Sequence, residues 1–127
     1  MSIILVVEDN PDILETTSMM LSLEGHEVIG ACCAGEGLDI VHARRDIDVL
    51  FTDLNLRGMN AWAMLETMRR ENRLVPTVIA SGDTEARTAL PLRPDKPVTF
   101  LAKPYGRRQL LAAIRACSQA DGSAGSA

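Results

Sequence analysis

Five residues of this chain combine reactive chemistry with a telling position: Glu8 and Asp9 after "IILVV", Asp53 after "VLFT", Ser81 after "TVIA" and Lys103 after "TFLA". Each stands where a short apolar run, of the kind that makes a buried strand, gives way to a loop. Three carboxylates brought together repel one another, so one must hold a proton or a cation must join them. A hard divalent ion with oxygen ligands suits such a set. Mg²⁺ is favoured, because it commonly uses one or two carboxylates with waters and phosphate oxygens. Beside that ion Asp53 has the chemistry of a nucleophile in phosphoryl transfer, since carboxylates form aspartyl-phosphates. The ion would screen the incoming phosphate while Lys103 and the Ser81 hydroxyl bind its other oxygens. Pro104 adds to this, because an X-Pro bond goes cis for only ~0.5–1 kcal/mol and would turn Lys103 inward.

Taken singly, each residue has an ordinary reading. Asp53 is a normal turn residue, Glu8-Asp9 or Asn10 a normal helix cap, Ser81-Gly82 a normal turn, and Lys103 a solvated lysine. Together, at the ends of successive strands, they favour the chemical reading.

The elements that must position them are legible from pattern. Strands are predicted over 3–9, 26–32, 48–52, 76–81 and 98–102, and helices over 11–24, 34–45, 61–72 and 107–117. Asn10-Pro11 opens the first helix and Gly25 closes it. Leu110, Leu111 and Ile114 give the closing helix its apolar face. Strands alternating with helices of about ten residues argue for βαβ units in a parallel, doubly wound sheet, whose ligands bind beyond the carboxyl ends of the strands. One segment departs from this rhythm. "DTEARTALPLRPDKP" holds Pro91, Pro94 and Pro97, so a fourth helix starting near Thr84 should be short and end by about Leu90. Residues 1–119 read as one domain, and the small polar residues 120–127 as a disordered tail.

Composition narrows the class. A chain of 127 residues suits a single domain that buries its own core. A net charge of −4 lacks the basic footprint of a nucleic-acid binder. No apolar run is long enough for a bilayer, and the N-terminus lacks the basic region expected of a signal peptide. The three cysteines, Cys32, Cys33 and Cys117, match neither a zinc spacing nor a disulfide framework, and read as reduced packing residues of a cytoplasmic protein. Met19, Met20, Met64 and Met68 read as core filler. His26 and His42 read as solvated.

The acidic pair in "VVEDN", the acceptor in "FTDLNLRGMN", the hydroxyl in "VIASGD" and the lysine in "FLAKPY" occur in order at strand ends. With them the chain, over residues 3 to 118, resembles the receiver domains of two-component response regulators, of the CheY-like, stand-alone type. The resemblance implies strand order 2-1-3-4-5 and a phosphohistidine as donor to Asp53. It implies that Asp9, Asp53 and the backbone carbonyl of Asn55 bind Mg²⁺, with Glu8 acting through water. It further implies that Phe100 is a switch aromatic moving with Ser81, and that Asn55 and Asp83 tune dephosphorylation. A histidine kinase or histidine phosphotransfer protein would be one partner and an unidentified downstream protein another. Nucleic acid and membrane would not be contacted. Such a domain is no turnover enzyme, because its chemistry is self-phosphorylation and autodephosphorylation at Asp53. The chain departs from the family at Arg57 and at Asn60-Ala61. As a core residue Phe100 is almost as plausible as it is as a switch, and the same holds for Tyr105.

Three other readings compete. A phosphohydrolase of the haloacid-dehalogenase type also forms an aspartyl-phosphate, but puts its nucleophile after the first strand. A flavodoxin-like FMN binder needs a Ser/Thr/Gly-rich phosphate loop where this chain has "VVEDNPD". A receiver that has lost switching would serve as a constitutive binding module.

Overall fold

The computed structural model describes residues 2–56, 58–82 and 98–126, with side chains to residue 118. Five short apolar runs form β1 (Ile3–Val7), β2 (Glu27–Ala31), β3 (Val49–Asp53), β6 (Thr77–Ser81) and β7 (Val98–Ala102). They make one parallel sheet in the order β2-β1-β3-β6-β7. This is the doubly wound α/β architecture anticipated from the sequence, and the order anticipated from the resemblance. The chain reverses its direction of winding between β1 and β3, so their carboxyl ends flank the crevice where such sheets bind ligands.

The pleat sorts side chains by parity. Leu5 and Val7 of β1 pack with α2 (Ala34–Ala43) and α3 (Ala61–Arg70), through Val41, Met64, Leu65 and Met68. Ile4 and Val6 pack on the other face with α1 (Pro11–Leu23) and α4 (Arg107–Ser126), through Leu21, Leu110 and Ile114. Both faces of the sheet are thus covered, which is why its strands are continuous apolar runs rather than alternating ones. α2 packs closely on β1 at Gly37, where a Cβ would stand 2.9 Å from Val7 Cγ2.

Helix ends follow their cap residues. Asn10 Oδ1 accepts from the N–H groups of Asp12 (3.0 Å) and Ile13 (3.3 Å), with Pro11 at the first helical position. Gly25, at φ +89°, takes the left-handed conformation that ends α1. Asn60 Oδ1 accepts from Ala63 N–H at 2.9 Å and starts α3.

Three features differ from the sequence reading or were not part of it. A two-stranded ribbon, β4 (Asn55–Leu56) with β5 (Met59–Asn60), follows the acceptor strand, its turn passing through Gly58 at φ +80°. Two residues per strand are too few for periodicity to signal. Helical backbone in α4 continues through Ser126, past residue 117 and through the stretch read as a disordered tail, where no proline interrupts it. Met19 is 56% exposed instead of filling the core, being on the outer side of α1, whereas Met64 and Met68 are buried. The expected short fourth helix, the Pro91, Pro94 and Pro97 segment, Asp83 and Arg57 lie outside the described residues.

Candidate functional site

The carboxyl ends of β1, β3, β6 and β7 bring the five sequence-selected residues to one edge. β3 carries Asp53 between β1 and β6, with Asp53 paired to Ala80 and Ser81 paired to Ala102. Lys103 directly follows β7, and its N–H donates to the Ser81 carbonyl at 3.1 Å. The Lys103–Pro104 peptide is cis. Lys103 Nζ lies 2.6 Å from Asp53 Oδ1, an ion pair at the centre of the edge.

Glu8, Asp9 and Asp53 each place a carboxylate oxygen within 4.8 Å of the other two. Glu8 is only 3% exposed and Asp53 9%. Asn10 N–H donates to Glu8 Oε1 at 3.1 Å, so the residue that caps α1 also holds the acid in place. Burial pushes the Glu8 carboxyl above the usual range, and nearby Asp53 adds to that; the Asn10 hydrogen bond and Lys103 pull the other way without winning. For Lys103, burial pulls the ammonium down, but the Asp53 hydrogen bond and charge, with Glu8 and Tyr105, leave it above its ordinary value. Lys103 is therefore charged at neutral pH. One ammonium set against three converging carboxylates leaves an oxygen-rich, electronegative pocket whose hard donors suit a small divalent cation better than a soft one.

Beyond Asp53 the chain is tied down on both sides. Leu54 N–H donates to Ala80 O at 3.0 Å, and Ala61 N–H donates to Leu54 O at 2.8 Å. Asn55 stands exposed in β4, two residues past the acceptor. Phe100 pairs with Ile79 on β6, is partly buried, and packs against Trp62 with ring centroids 5.8 Å apart.

Two arrangements escaped the sequence reading. The Tyr105 hydroxyl and Thr17 Oγ1 share a hydrogen bond of 2.8 Å, and the Tyr105 ring meets Phe51 edge-on. The partners are far apart in sequence, so no local pattern announces them. Packing accounts for Cys117, which is buried, but not for Cys32, which is exposed, or for Cys33, which is partly so. His42 is exposed and ion-paired to Glu71; half-buried His26 accepts at Nδ1 from the Ser2 N–H at 3.1 Å.

The chain is similar to known proteins over nearly its whole length. Residues 4–115 match the family described as "Response regulator receiver domain". The chain is 29% identical over 113 residues to the cell cycle transcriptional regulator CtrA of Caulobacter vibrioides, covering 89% of this chain and 48% of that protein. It superimposes on a CheY-like receiver domain protein of Methanospirillum hungatei with a TM-score of 0.83 and 26% identity, over 97% of this chain and 98% of the other. NtrX of Brucella abortus superimposes with a TM-score of 0.86 and 26% identity, over 98% of this chain but 28% of the longer one. The chain thus spans about half or less of these larger regulators and nearly all of the small receiver. With Asp53, the acidic pair and Lys103 at one sheet edge and a match over almost the whole chain, this chain belongs to the response regulator receiver domain family.

Proposed function

We propose that the domain is a phosphoacceptor signalling module of a two-component system or phosphorelay, in which Asp53 takes a phosphoryl group from a phosphohistidine of a histidine kinase or phosphotransfer protein. The ion pair of Lys103 with Asp53 inside the acidic cluster is the observation that carries this reading. An Asp53 carboxylate oxygen attacks phosphorus, the P–N bond to the donor imidazole breaks, and Lys103 follows the negative charge from the carboxylate to the phosphoryl oxygens. The Ser81 hydroxyl serves a further oxygen. Asp9, Asp53 and the Asn55 carbonyl would hold Mg²⁺, with Glu8 acting through water. Bound there, Mg²⁺ would neutralise charge on the phosphoryl group. As Lys103 and Ser81 are drawn to the phosphate, β6 and β7 shift at their ends, and Phe100 is the switch aromatic that passes the change to a protein-binding surface. Asn55 and Asp83 set how fast the phosphate is lost.

An apolar groove of about 480 Å³, lined by Ile13, Thr16, Met20, Pro104 and Tyr105, opens beside Lys103 and gives a protein donor a surface next to the acceptor. No helix among the described residues is long and apolar enough to cross a membrane. We place the domain in the cytoplasm, acting on protein partners and without nucleic-acid contacts of its own. It performs no turnover chemistry beyond its own phosphorylation and dephosphorylation.

Intact-mass spectrometry after incubation with a small phosphodonor, with and without Mg²⁺, tests this reading. A single phosphoryl adduct is expected in wild type, dependent on Mg²⁺ and absent from Asp53→Asn. No adduct in a wild-type protein that still binds Mg²⁺ would instead mark a receiver that has lost its switch and binds partners constitutively.

A further inference from the structure

A second gathering of ligand-type side chains lies where β2 passes into α2, independent of the phosphoryl site. Cys33 is the N-cap of α2, and its Sγ accepts from Glu36 N–H at 3.4 Å. Cys32 Sγ donates to Glu36 Oε2 at 3.3 Å. The two sulfurs and one Glu36 oxygen all lie within 4.8 Å of one another, and neither thiol is buried. In a tetrahedral site with ~2.3 Å to sulfur and ~2.1 Å to oxygen, neighbouring ligand atoms stand roughly 3.6–3.8 Å apart. The three donors are therefore near ligand spacing already, and small side-chain rotations close the rest.

The electrostatics agree with the geometry. Glu36 Oε2 already faces the Cys32 sulfur, and a cation between them would attract both a carboxylate and a thiolate. The Cys33 sulfur sits at the amino-terminal end of α2, on the same side as the Glu36 backbone N–H that it accepts from. Two sulfurs with one carboxylate select a borderline-soft ion over Mg²⁺.

We propose that Cys32, Cys33 and Glu36 form a binding site for a thiophilic divalent cation of the zinc type, with its fourth position open to water. The spacing of the cysteines alone does not announce it, because the third ligand comes from the first turn of α2. The site adjoins Ala31, whose carbonyl accepts the Glu8 N–H at 3.0 Å, so it borders the strand end that carries the acidic pair.

Cobalt(II) titration of the reduced chain tests the proposal, because thiolate-to-cobalt charge transfer reports sulfur ligands and is silent at an all-oxygen site. One equivalent per chain should produce the band, zinc should displace it, and excess Mg²⁺ should not. Cys32→Ser and Cys33→Ser should each abolish the two-thiolate band. Serine is itself a preferred N-cap, so Cys33→Ser keeps α2, which far-ultraviolet circular dichroism verifies. Glu36→Gln should weaken cobalt binding by at least ~10-fold, since even outer-shell partners are worth that much. Absence of a band in wild type, an unchanged band in either serine variant, or one cobalt per two chains would overturn the site.

Discussion

The four aromatic rings of this chain form two pairs, one on each face of the sheet. Each pair joins the acceptor side of the site to the segment bearing Lys103. On the face covered by α1 and α4, Phe51 of β3 meets Tyr105 edge-on at 5.7 Å. Phe51 is 1% exposed, and the Tyr105 hydroxyl is fastened to Thr17 on α1. On the face covered by α2 and α3, Trp62 meets Phe100 at 5.8 Å, and both rings are only partly buried. The first pair is clamped by core packing and a hydrogen bond to a helix. The second pair lies against the core with both rings partly exposed and is held there by packing. We expect the anchored pair to hold the site and the looser pair to respond to it.

Replacing Phe51 with Ala should have the largest effect, costing about 3–5 kcal/mol, because a fully buried ring leaves both a lost transfer term and a cavity. Phe100→Ala should cost clearly less in the same urea titration. Equal losses would erase the distinction between the pairs. The looser pair should also carry the signal: Mg²⁺ and phosphorylation of Asp53 should each change Trp62 fluorescence. Lys103→Ala should keep the Mg²⁺ response and lose the response to phosphorylation. A phosphorylation response undiminished in that variant would remove Lys103 from the coupling.

Smaller effects sharpen the anchored side. Tyr105→Phe should cost about 1 kcal/mol, the net worth of its hydrogen bond to Thr17, with phosphorylation of Asp53 intact. The smallest effect concerns alkaline pH. Burial pushes the Tyr105 phenol above its ordinary value of 10.0, against the opposing Thr17 hydrogen bond and Lys103. A raised folded-state pKa means that its stabilising contribution is complete below about 10 and fades as pH rises through the folded value. Melting temperature should therefore fall more steeply above pH 10 in wild type than in Tyr105→Phe.

Much of this was legible in the sequence because buried parallel strands are nearly continuous apolar runs, and any charged residue at their ends is conspicuous. β1, β3, β6 and β7 each end at or beside a residue of the site for that reason. The side-chain caps on α1 and α3 come from Asn10 and Asn60, one foreseen as a helix start and the other noted only as a departure from a family pattern. What stayed hidden depends on tertiary distance or on very short elements. The β4–β5 ribbon has no room for a period, the Thr17–Tyr105 bond joins residues 88 apart, and Glu36 reaches Cys32 only because a helix begins between them. Met19 differs from Met20 by which side of one helix turn it occupies, and apolar character alone does not fix that side.

Gly37 gives the fold a mechanical property. A single added carbon there would press on the branched, rotationally stiff Val7 at 2.9 Å, so α2 and β1 meet without slack. A helix seated so tightly is expected to hand a displacement on, where a looser contact would absorb it as a cushion does. Residue 37 is in that sense a bearing surface, and the first part it would move is the strand whose next two residues are Glu8 and Asp9.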